Sequence, residues 1–100
     1  MLGGMELHDR RVLSFGAAVP EGVVDAGTSP GAGEVEALVA AGKPVMVTET
    51  TTAAVAVYAW LGASVFRVPD ALVGEVRQVV EMVLAIRGLR EPAVSRRGLA

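Results

Sequence analysis

The sequence predicts a small α/β domain with a mostly parallel four-stranded sheet and three helices. Three observations carry this expectation. Short β-branched or aliphatic runs end at glycines or charged residues, and from the second run onward they alternate with longer segments of helical spacing. The chain is 52% hydrophobic and 20% charged, too apolar to stay disordered. Its 100 residues amount to a single domain. Much of the apolar content is Ala and Val, small side chains that give a thin core and a reason to oligomerise.

Residues 11–15 and 22–25 read as buried strands, ended by Gly16 and Gly27. The short stretch between them cannot hold a crossover helix. Either the two runs pair antiparallel or a helix is missing there. Residues 28–33, Thr-Ser-Pro-Gly-Ala-Gly, form a loop by composition, and residues 34–41 a short helix with Val35, Leu38 and Val39 on one side and Gly42 as its stop. Residues 44–48 make the next strand. A helix over 50–63 follows, with Thr50, Thr51 or Thr52 as its N-cap and Gly62 near its end. Its residues 52–61 offer no polar face, so it is expected to be buried on nearly all sides, as at a subunit interface.

Residues 64–68 form the last strand, and Pro69-Asp70 opens the longest helix, which the pattern carries to about Ile86, before Gly88. Leu72, Val76, Val79, Val83 and Ile86 make its apolar stripe, widened by Val73, Val80 and Leu84, with Glu75, Arg77, Gln78 and Glu81 opposite. The stripe fits a helix covering a sheet, or else a helix-helix oligomer seam. The domain is thus expected over 1–90, with a flexible basic tail at 91–100.

Net charge is −2, which lacks the footprint of a nucleic-acid binder. Arg87, Arg90, Arg96 and Arg97 against the lone Glu91 give the last stretch +3, leaving −5 for the rest. That basic end reads as a solvated tail favouring a helix C-terminus, or as a polyanion contact. With no cysteine there is no disulfide, thiolate nucleophile or zinc knuckle, a usage that fits the cytoplasm. Residues 1–7 show no signal pattern, and the apolar stretch at 53–66 falls short of the ~20 residues a membrane span needs. No membrane partner is expected. His8, the only histidine, has no cluster of ligands around it, so neither metal nor other cofactor is expected. Ser14, Ser29 and Ser64 lack a nucleophile-elbow context and no residue is assigned a catalytic role.

Asp25, Glu49 and Arg67 form the most informative constellation. Each is placed at or just past the carboxyl end of a predicted strand, the edge where parallel α/β sheets bind ligands. A carboxylate there accepts from the N–H groups of an amino-heterocycle, and a guanidinium stacks on a planar ring or forks onto phosphate. Alternatively Asp25 caps the following loop, Glu49 is solvated, and Arg67 pairs with Asp25 or Asp70. The loop at 27–33 lacks the third glycine of a dinucleotide fingerprint and the lysine of a phosphate loop, which favours a tight turn. Tyr58 and Trp60 read as packing residues.

The motifs Val-Val-Asp-Ala-Gly at 23–27, Gly-Lys-Pro-Val-Met-Val at 42–47, Thr-Ala-Ala at 52–54 and Gly-Ala-Ser-Val-Phe-Arg-Val-Pro-Asp at 62–70 resemble the C-terminal half of dihydropteroate synthase. That family is a (β/α)₈ barrel joining a hydroxymethyl-pterin diphosphate to p-aminobenzoate with loss of diphosphate. The resemblance covers about 22–88 and implies a degenerate half barrel. Asp25 matches the family acid that holds the pterin, and Arg67 the arginine that stacks near the pterin and contacts phosphate. Pro69 stands where the family has histidine, Ala26 where it has proline, and Thr48-Glu49-Thr50 where it has Ser-Arg-Lys. The lysine of that family motif contacts substrate, and Glu49 puts negative charge where the family needs positive charge. The family's N-terminal half, with its magnesium- and diphosphate-binding asparagine, has no counterpart. The resemblance implies a pterin-like ligand at Asp25, Arg67 and Glu49 without competent synthase chemistry. A different reading is a non-enzymatic interaction or regulatory subunit that homo-oligomerises or completes a larger partner.

Overall fold

A computed structural model of the chain describes residues 11–99, with side chains described through residue 88. The β-branched runs become β1 (Arg11–Ser14), β2 (Val24–Thr28), β3 (Val45–Thr48) and β4 (Val65–Val68). The helices are α1 (Ala32–Ala40), α2 (Thr52–Leu61) and α3 (Val73–Leu99), the last preceded by a 3₁₀ turn at Asp70–Leu72. All four strands lie parallel in one sheet of order β1-β4-β3-β2. The fold is α/β, as the alternation of elements predicts.

The strands β2, β3 and β4 are neighbours in chain order, each joined to the next by a helix. Right-handed crossovers in one direction place every helix on the same face. One apolar cluster accordingly takes Val35 from α1, Val55 and Ala59 from α2, and Val76 and Val80 from α3, against Val47, Phe66 and Val68 of the sheet. Successive strand residues point to opposite faces, so Val65 and Arg67 turn away from the helices.

β1 departs from chain order. It does not pair antiparallel with β2 but runs parallel beside β4, at the far edge, with Val12 level with Phe66. That register lets Val12 pack against the helix-side core, which a hairpin with β2 at the opposite edge would forgo. The nine residues 15–23 reach at most ~30 Å when extended, enough to cross a four-stranded sheet spaced at ~4.8 Å without a helix.

Two helix ends follow their sequence signals. The Thr51 side chain accepts from the Ala54 N–H at 3.2 Å and caps α2. Gly62 closes α2 at φ 111°, and a Cβ there would sit 2.8 Å from Val39 Cγ1, so only glycine fits. Two expectations are corrected. Within the single chain α2 is not buried on nearly all sides: Val55, Tyr58 and Ala59 are buried, while Val57 and Trp60 are 55% and 40% exposed, because α1, α3 and the sheet cover the helix and leave its outward face uncovered. α3 does not stop before Gly88 but continues to Leu99. A helical glycine costs only ~1 kcal/mol, and Gly88 does not take the positive φ that ends a helix. The stripe on α3 covers the sheet, with Val76 and Val80 buried and Leu72, Val73, Val83 and Leu84 packed against the core, whereas Ile86 is exposed. Among the described residues no helix is long and apolar enough to cross a membrane.

Candidate functional site

On the sheet face away from the helices, Leu13, Arg67 and Thr48 stand level on β1, β4 and β3. Arg67 dominates it. Its Nε donates to Thr48 Oγ1 at 3.2 Å, and one terminal nitrogen donates to the Ala17 carbonyl at 3.2 Å. The other terminal nitrogen lies 3.9 Å from Asp25 Oδ2. The guanidinium thus reaches across β3 to β2 and holds the connector 15–23 against this face. Its fixed fork of donors is what allows three partners in three directions.

Asp25 is not at the carboxyl end of its strand. It is the second residue of β2, level with Met46, and the strand continues to Thr28. Gly27 is the cause. The register slips between Asp25 and Thr28, so that Ala26 and Gly27 together face a single residue of β3, and Gly27 takes φ 97°. The bulge turns the Gly27 N–H to Asp25 Oδ1, 2.9 Å away. A glycine that reads as a strand terminator is therefore a bulge inside a longer strand. The Asp25 and Arg67 side chains remain 39% and 22% exposed, so a ligand has access to the pair.

Glu49 sits on the other side. Strand alternation turns it away from Thr48 and Arg67, although its own N–H donates to the Arg67 carbonyl at 3.0 Å. It is 6% exposed, not solvated, and its Oε1 accepts from the Thr50 N–H at 3.0 Å. Tyr58 lies near it. The Tyr58 hydroxyl donates to the Pro30 carbonyl, tying α2 to the loop before α1. Burial first, and then the charge of Glu49, push the phenol above its ordinary value of 10.0.

The three sequence-predicted residues therefore do not converge on one site. Asp25 and Arg67 come together on one face, while Glu49 belongs with Tyr58 on the other. The adjacency of Thr48 and Glu49 carried this information, since neighbouring strand residues face opposite ways. Nothing in the sequence marked the Tyr58 hydroxyl, whose partner is 28 residues away. The 27–33 loop is a strand-to-helix turn: Gly31 caps α1 without a side-chain bond, and Glu34 lies in the first helical turn. His8 lies outside the described residues. Among the described residues no three His, Asp or Glu side chains gather as metal ligands. A cleft of ≈ 380 Å³ opens elsewhere, between β1 and the α3 face from Arg77 to Leu84.

Chemically, an exposed carboxylate beside a guanidinium offers adjacent acceptor and donor groups to the edge of a planar heterocycle. No family model matches the chain, and no curated protein or solved structure is significantly similar to it.

Proposed function

We propose that this chain is a dihydropteroate synthase-like half barrel that serves as an assembly module, pairing with itself or completing a larger partner, and is not a synthase alone. The observation that carries this reading is the apolar surface on its outer helix faces. Val57 and Trp60 of α2 are 55% and 40% exposed, and Met82 of α3 is 60% exposed. Covering such side chains is worth ~25 cal/mol per Å² of apolar area, a gain this thin-cored chain has not realised by itself. Three strands in chain order with helices on one face support the barrel-segment part of the reading. The buried Glu49 supports the absence of synthase chemistry. A departing diphosphate needs positive charge or a metal, and losing one such group costs ~10²–10³ in rate. We place the protein in the cytoplasm, in keeping with its lack of cysteine. Light scattering coupled to gel filtration at tens of micromolar tests the assembly reading. The expected mass exceeds the 10.3 kDa of one chain, and a monodisperse monomer overturns self-pairing.

A second reading is favoured by one specific observation, the approach of Arg67 to Asp25 at 3.9 Å with both side chains partly exposed. On this reading a pterin-like molecule binds at the face that would look into a closed barrel. Asp25 accepts from its amino and ring N–H groups, and Arg67 stacks or contacts phosphate. Calorimetric titration with hydroxymethyl-pterin is expected to give heat that Asp25→Asn abolishes. A silent wild type sinks this reading.

A further inference from the structure

We propose that two copies of the chain join edge to edge, β1 against β1 about a two-fold axis, with α3 packing antiparallel on its counterpart above the joint. The inference rests on the reading that the chain assembles, and it sets the joint at β1 and α3 and not at Val57 and Trp60 of α2. β1 is an edge strand, and among the described residues no strand pairs with it on the side away from β4. Such an edge presents unpaired backbone donors and acceptors to any strand that approaches. The cleft of ≈ 380 Å³ runs along this edge, with Val12 and Leu13 on the strand side. Its other wall is a single stripe of α3, because Arg77, Val80, Glu81 and Leu84 recur at helical spacing on one face.

Charge identifies the occupant as a second copy. Arg77 and Glu81 stand one helical turn apart in the cleft wall, so the wall carries both signs. A two-fold axis near residue 79 runs the helices antiparallel and brings Arg77 of each copy within reach of Glu81 of the other. Val80 and Leu84 pack beneath. A uniformly acidic or basic partner would satisfy only one of the two charges. Antiparallel pairing of β1 with β1 uses the same edge on both copies, so the contact closes at two and does not propagate into fibres.

Single-cysteine reporters test this cleanly, because the chain has no cysteine of its own. Under mild oxidation Glu81→Cys, close to the axis, is expected to form a disulfide-linked dimer, and Val57→Cys on α2 is not. Arg77→Glu and Glu81→Arg are each expected to weaken dimerisation about tenfold, with the double exchange restoring it. Thermal melts of each variant separate loss of pairing from loss of fold. A wild-type dimer that ignores the charge exchanges and cross-links through Val57→Cys overturns this surface but leaves the assembly reading standing. A wild-type monomer overturns this surface and self-pairing together.

Discussion

The two faces of the sheet are held by different physics. On the helix side Val47, Phe66 and Val68 are fully buried among side chains of all three helices, and the cohesion is apolar and non-directional. On the other face, among the described residues, no helix is present. There one arginine bonds Thr48 and the Ala17 carbonyl and approaches Asp25, and a nine-residue connector takes the place of a layer of secondary structure. The first face tolerates exchanges of similar volume. The second depends on a side chain with a specific donor geometry.

The largest effect is expected from opening the dry face. Phe66→Ala removes the largest fully buried side chain among the described residues and should cost about 3–5 kcal/mol, read as a fall in the urea midpoint. Arg67→Ala tests the opposite face. It removes two charge-assisted hydrogen bonds and the approach to Asp25, and the partial exposure of the side chain softens the loss to about 2–3 kcal/mol. The location of the damage distinguishes the two variants. Arg67→Ala should speed amide exchange in residues 15–23 while protection in α2 persists, whereas Phe66→Ala should loosen both together. Equal exchange profiles would erase the distinction between the faces.

The helix-covered face could be read from the sequence almost in full. Valine and leucine spacing in α3 named its inward side, and the threonines and Gly62 bracketed α2. The opposite face could not be read, because its contacts are long-range and polar. Nothing local tells that Arg67 bonds a carbonyl 50 residues away, or that β1 passes β2 and β3 to lie beside β4. Periodicity reports which way a side chain points, and topology decides what it meets. Gly27 shows the remaining ambiguity, since a glycine after a β-branched run marks a strand end and a bulge equally well.

Tyr58 joins the two regimes, with its ring in the apolar cluster and its hydroxyl on the Pro30 carbonyl. Tyr58→Phe keeps the ring and should cost about 1 kcal/mol near neutral pH. The pH dependence has a definite sign. Because burial and Glu49 raise the phenol above 10.0, the folded state holds that proton more tightly than the unfolded chain. The contribution is intact below about pH 10 and is lost as pH rises through the higher folded value. Chemical denaturation between pH 8 and 11 should therefore show a steeper alkaline decline in the wild type than in Tyr58→Phe. Parallel curves would remove Tyr58 from the alkaline limb.

Asp25→Asn should give the smallest change in stability, and that smallness makes it diagnostic. The ion pair is long at 3.9 Å and the carboxylate is 39% exposed, so water and salt screen most of the attraction. The asparagine oxygen still accepts from the Gly27 N–H, so the bulge keeps its internal bond. The expected loss is well under about 1 kcal/mol. A carboxylate that held only its own turn would leave nothing further to lose. A carboxylate that receives a heterocycle would lose ligand heat with an unchanged melting curve, since an amide oxygen lacks the charge that makes such acceptance strong. Melting and titration run on the same two proteins thus separate a structural aspartate from a binding one. A large fall in melting temperature would instead mean that the polar face depends on Asp25 as well as on Arg67.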